Sequence, residues 1–149
     1  MNSYVKGLLV AALTAPLLAA SSAAHAEGPE AYCFAKRAIA PGSWIGTYAP
    51  VAADGSCDPT NGLRMVSQLT SAPVVTGEVA HITIRWQFFD QSGALAFQTD
   101  QSGILKLGSG DVVLNGTVTG GENSGARTHD EGTPTDANGS YAGVMRVQS

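Results

Sequence analysis

Cysteine, basic charge and helical periodicity are all scarce in this sequence, and each scarcity narrows what the chain can be. Two cysteines in 149 residues, with no CxxC spacing and no histidine near either, give no foundation for a zinc site. Eight Lys and Arg stand against twelve Asp and Glu. They are scattered with no basic run, which argues against nucleic acid and against an anionic membrane surface as partners. After residue 27 no apolar pattern keeps a helical period for several turns. No HExxH, phosphate loop, dinucleotide fingerprint or nucleophile elbow occurs, so neither a cofactor nor a metal is expected.

The one long apolar run stands at the start. Lys6 supplies a positive n-region, Gly7 to Ala20 an apolar stretch, and Ala24-His25-Ala26 a small-x-small site, the pattern of a secretory signal peptide cleaved after Ala26. The stretch is too short and too rich in Ala for a good spanning helix. Residues 1–26 therefore read as a signal peptide and residues 27–149 as one secreted or periplasmic domain with no membrane span. Cleavage removes Lys6 and no acid, so seven basic residues remain against twelve acidic ones, a net charge of minus five. A domain of this length buries roughly two-thirds of its unfolded surface and can fold without a metal. An even cysteine count in an exported chain implies a Cys33–Cys57 bridge. Closing that loop contributes on the order of 3 kcal/mol in the chain-entropy model.

What is plentiful is turn chemistry between short apolar alternations. The organising stretch is Glu78 to Thr119, read as four strands with short turns. Asp90-Gln91-Ser92-Gly93 recurs as Asp100-Gln101-Ser102-Gly103, and both copies have the Asp and Gly of a tight hairpin. The four strands are Val79 to Phe89, residues 94–99, residues 104–107 and Val112 to Thr119; Ser43 to Tyr48, Leu63 to Thr70, Ala126 to Glu131 and Ser140 to Val147 read as further strands. Glu27 to Ala40 reads as a first strand or an ordered arm, and Ser71 to Gly77 as an edge or linker. Seven to nine short strands at near-regular spacing predict an all-β fold with no substantial helix. The expected architecture is an antiparallel up-and-down β-barrel of about eight strands, because closure removes the edges a meander leaves open.

Two resemblances attach to particular residues. Gly42-Ser43-Trp44 on the first regular strand, with Arg146 on the last, is similar to the calycin signature. There a G-x-W tryptophan closes one barrel end and a basic side chain from the final strand packs over its ring. The resemblance implies Gly42, Trp44 and Arg146 as a barrel-end closure, and a small secreted barrel of lipocalin or avidin type. Val118-Thr119-Gly120-Gly121, Ser124-Gly125-Ala126 and Gly139-Ser140-Tyr141-Ala142-Gly143 resemble the Gly-rich turns of allene oxide cyclase and dirigent-type barrels. That likeness implies an interior pocket holding a reactive lipid or phenolic intermediate.

The longest strand carries the candidate site. Ala80, Ile82, Ile84, Trp86 and Phe88 share one face, and His81, Arg85 and Gln87 lie on the other. The apolar face makes the more natural interior. With the other face inward, Arg85 would orient a carboxylate or phenolate and His81 would exchange a proton near neutral pH, so His81, Arg85 and Gln87 are the candidate ligand-binding residues. In His129-Asp130-Glu131 only His129 and Glu131 share a face, and two ligands do not make a metal site. The expected function is a secreted binding module for a small apolar ligand or a protein partner. The rivals are an allene-oxide-cyclase-like or dirigent-like enzyme, and an inhibitor inserting residues 27–32 into a secreted enzyme.

Overall fold

The structure is a computed structural model that describes residues 30–149; the leader read in residues 1–26 and its cleavage site lie outside them. Nine strands run in chain order: β1 Glu30–Ala40, β2 Ser43–Pro50, β3 Leu63–Leu69, β4 Val74–Thr76, β5 Val79–Phe89, β6 Leu95–Lys106, β7 Val112–Gly121, β8 Arg127–Pro134 and β9 Tyr141–Gln148. Every pairing is antiparallel. β1 pairs with β9 and β3 pairs with β5, so eight strands close into an up-and-down barrel. β4 hydrogen-bonds only to the start of β5 and stands outside the closed ring. The sole helical element among the described residues is a 3₁₀ turn at Pro59–Asn61, and no described helix is long and apolar enough to cross a membrane.

The meander gives the barrel two unlike ends. At one lie the hairpins β1–β2, β6–β7 and β8–β9 and the β3–β5 connection that carries β4. At the other lie the β5–β6 and β7–β8 hairpins and the 51–62 loop, tied to β1 by the Cys33–Cys57 disulfide with Cα atoms 6.2 Å apart. Cys33 points away from the lumen, and the bridge buries it beneath the loop.

Strand alternation selects the core. Ala80, Ile82, Ile84, Trp86 and Phe88 are all buried while His81 and Arg85 are exposed, so the even face of β5 lines the interior. Towards the disulfide end the lumen is filled by aromatic rings. Trp86 stacks on Phe88 (centroids 5.9 Å, planes 8° apart) and Phe88 on Phe97 (4.4 Å, 11°). Phe34 meets Trp86, and Tyr48 meets Phe88, edge to face at 5.0 and 4.9 Å. Ile84→Ala should therefore cost about 2 to 5 kcal/mol. Thr83→Ala should cost under about 1 kcal/mol, because the Thr83 hydroxyl lies on the outer face in a cluster with Thr70 (3.0 Å) and Ser71 (2.7 Å) that water can replace. Denaturant midpoints read at constant slope measure both; a larger loss at Thr83 would contradict this packing.

One sequence expectation is corrected here. The two Asp-Gln-Ser-Gly copies adopt different structures. The first is the β5–β6 turn: Asp90 Oδ1 accepts from the Ser92 backbone (2.9 Å) and hydroxyl (2.6 Å), and Gly93 takes φ +89°. The second continues β6 without a break, so residues 78–119 hold three barrel strands and not four. There Asp100 faces out to pair with Arg85, and Gln101 faces in and is buried. Gly103 lets β7 approach so closely that a Cβ would sit 2.9 Å from Leu114 Cα.

Candidate functional site

The lumen is not uniformly apolar. Lys36, Ser67, Thr99, Gln101, Thr128 and Asp130 are buried polar or charged groups, and every one is an inward position of its strand. On β1, alternation puts Tyr32, Phe34 and Lys36 inside and Arg37 outside. Lys36 sits opposite Gly46 of β2, where a Cβ would lie 2.7 Å from Lys36 Cα. A larger residue at 46 would push the two strands apart. On β8, Thr128, Asp130 and Gly132 point inward, and Asp130 is only 1% exposed.

Lys36 and Asp130 line one cavity of about 100 Å³ at the end opposite the disulfide loop. Its walls are otherwise nearly all apolar: Ile82, Ile84, Leu105, Val112 and Leu114 come from β5, β6 and β7, while Leu69, Pro73 and Tyr141 stand toward the rim. The Lys36 ammonium position lies 4.0 Å from the Trp86 ring centroid and 4.5 Å from that of Trp44, and Nζ donates one hydrogen bond to Ser67 Oγ (3.0 Å). It makes no direct ion pair; the side-chain ion pairs among the described residues are Arg85–Asp100 and His129–Glu131. Neither carboxyl oxygen of Asp130 has a well-formed hydrogen bond; the nearby Gln101 amide gives one N–H to Thr128 (2.8 Å), and its pull on Asp130 is a weaker, longer one.

Burial dominates the electrostatics of both groups. It pulls Lys36 down to about 7 against the opposing pull of the Asp130 charge. It pushes Asp130 up to about 7, with the Lys36 charge and Gln101 acting the other way. A desolvated ion is costly on either side chain, and the indole faces and one hydroxyl compensate only partly. An amine and a carboxyl group poised near neutrality in one apolar chamber have the makings of an acid–base pair.

The candidate residues read from the sequence fall elsewhere. His81 and Arg85 are on the outer wall, where the Arg85 guanidinium pairs with Asp100 at 2.9 Å and Gln87 donates to Gln98 at 3.0 Å. They do not line the lumen. Trp44 Nε1 donates to Gly139 O (2.9 Å), fastening the β8–β9 hairpin, and Gly42 makes the adjacent turn at φ +76°. The cation over its ring, however, is Lys36 of the first strand and not Arg146 of the last. Arg146 points outward and pairs with Ala31, whereas Trp44 pairs with Ala38. Seven residues of strand, roughly 23 Å, separate those two positions on β1. His129 and Glu131 share the outer face, bonded at 2.9 Å, while Asp130 between them turns in. Among the described residues no three His, Cys, Asp or Glu side chains converge as metal ligands.

Lys36 and Asp130 were the residues sequence reasoning missed. Their signal was present as a charged residue in register with Tyr32 and Phe34, and as an acid alternating with His129 and Glu131. Comparison of the chain with family models, curated proteins and solved structures returns no match.

Proposed function

We propose that the chain is an exported binding module that takes a small, largely apolar ligand into the cavity end of the barrel, with a polar group of that ligand set between Lys36 and Asp130. The observation that carries this reading is the pairing of apolar walls with a buried carboxyl group whose two oxygens lack a well-formed hydrogen bond. Pockets for small molecules are typically concave and mainly apolar, with a few convergent polar groups that fix orientation. Size limits the ligand. An apolar cavity of roughly 150 Å³ holds benzene, so a chamber of about 100 Å³ encloses a short branched chain or part of a single ring, with the remainder of the ligand lying at the rim by Pro73 and Tyr141.

The rival enzyme reading drew its chemistry from His81 and Arg85, which face solvent; acid–base capacity in the lumen belongs to Lys36 and Asp130. The inhibitor reading used the segment ending at Tyr32, of which Glu30 to Tyr32 are paired with β9 in the barrel wall.

The test uses an advantage of the sequence: its two tryptophans, Trp44 and Trp86, both line the cavity. Titration with benzyl alcohol should change tryptophan emission saturably. A linear response with no saturation would overturn the reading.

A further inference from the structure

We propose that Lys36 captures small carbonyl compounds, condensing with an aldehyde inside the cavity to form an imine while Asp130 serves as the proton donor and acceptor. The inference rests on the cavity reading above and adds a reaction class and a nucleophile.

Geometry selects Lys36. The whole chain has three lysines, Lys6, Lys36 and Lys106. Lys6 lies outside the described residues, and Lys106 is exposed at the end of β6. Of the two described lysines, Lys36 is the one buried against a cavity. Its nitrogen gives one hydrogen to Ser67 and otherwise faces indole rings, so no carboxylate holds it as an ion pair. A flat, apolar carbonyl compound suits packing against such aromatic faces. Asp130 disfavours a carboxylate-bearing ligand, which points to a neutral aldehyde with an aromatic or branched alkyl body.

The protonation state favours the reaction. An ordinary lysine near pKa 10.4 offers well under one free amine in a thousand at neutral pH. Burial holds Lys36 at about 7, so a large fraction is nucleophilic, the usual way a lysine is activated in an apolar pocket. The other titratable groups lining the cavity are Asp130 and Tyr141. Burial raises both, so Asp130 retains a proton near neutrality and Tyr141 stays neutral.

The step balances without an oxidant or reductant. The amine lone pair attacks the carbonyl carbon, a C–N bond forms as the C=O π bond breaks, and the proton shed by the nitrogen passes to the alkoxide oxygen, directly or through Asp130, to give a carbinolamine. The nitrogen lone pair then forms C=N as the C–O bond breaks, and the hydroxyl leaves as water with the proton supplied by Asp130. The iminium either gives its proton back to the Asp130 carboxylate or remains charged beside it. Aldehyde and amine become imine and water.

The experiment treats the exported protein with benzaldehyde and cyanoborohydride, which fixes any imine as a benzyl amine, and maps the adduct by peptide mass. Benzyl alcohol, of like shape but without a carbonyl, serves as competitor and as the separate probe of the cavity. At pH 7 labelling at Lys36 is expected on the order of a hundredfold faster than at an ordinary exposed lysine, a roughly thousandfold advantage in free amine being partly offset by lower intrinsic nucleophilicity; Lys106 serves as the exposed reference. It should be suppressed by benzyl alcohol, kept in Lys106→Arg and lost in Lys36→Met. Saturable tryptophan response to benzyl alcohol with no adduct at Lys36, or with Lys106 labelled as fast, would overturn the carbonyl inference and leave the cavity reading standing. Absence of both the response and the adduct would overturn the two together.

Discussion

Trp86→Ala lowers the unfolding free energy by about 3 to 5 kcal/mol, and Trp86→Phe leaves it nearly unchanged. Trp86 is 1% exposed and sits mid-lumen, stacked on Phe88, met edge-on by Phe34 and covered by the Lys36 ammonium position 4.0 Å from its ring centroid. Truncation joins its volume to the existing cavity and removes the aromatic face nearest the amine. Neighbours held in a closed barrel cannot collapse into such a space, since each strand is fixed by hydrogen bonds on both sides. Domains of this kind are stable by only about 5 to 15 kcal/mol, so the alanine variant loses roughly a fifth of the total at the least and most of it at the other extreme. Phenylalanine behaves differently because the Trp86 Nε1 hydrogen is buried with no acceptor. Removing that unpaired donor relieves about 1 to 3 kcal/mol, which offsets the lost ring area. Urea midpoints at constant slope test both variants. An alanine loss under about 1 kcal/mol, or a phenylalanine loss equal to it, would mean that the ring is not packed as described.

The second large effect is a stability minimum near pH 7. The Asp130 carboxyl is held at about 7 when folded, well above its unfolded value near 4. Between those values the native state keeps a proton that the unfolded state has lost, and stability falls as pH rises. The Lys36 amine is held at about 7 when folded, well below its unfolded value near 10.4. Between 7 and that value the unfolded state keeps a proton that the native state has shed, so stability climbs again. Each limb amounts to on the order of 2 to 4 kcal/mol. The surface acids Asp54, Asp58, Asp90 and Asp136 are held low by hydrogen bonds from neighbouring backbone and hydroxyl groups. Their contribution is lost only as pH falls below about 4, outside this window. Lys36→Met should remove the upper limb and raise stability at pH 7, because a buried amine gives way to an apolar chain of similar length. Chemical denaturation from pH 4 to 10 measures the profile. A maximum at neutrality in the native protein would show that Lys36 and Asp130 do not titrate as buried groups.

The sequence by itself determined the all-β class, the strand faces and the bridge. Alternation along Val79–Phe89 is a local property, and five apolar residues on one side leave only one inexpensive orientation in water. Two cysteines with no ligand spacing and no nearby histidine point to their bond for similarly local reasons, and Cys33 and Cys57 are bonded. Tertiary structure alone decided that the second Asp-Gln-Ser-Gly runs through mid-strand, since the same four residues turn at 90–93 and extend at 100–103. The difference lies in the partners: Arg85 waits across the ladder for Asp100 and the lumen receives Gln101. Tertiary structure also decided which cation covers Trp44, because that depends on which strand ends share a rim, and Arg146 leaves β9 at the far one. The pairing of Lys36 with Asp130 was invisible for the same reason. The two residues are 94 positions apart, each unremarkable among surface charges, and only barrel closure removes both from water and brings them to one cavity, where desolvation gives them their chemistry.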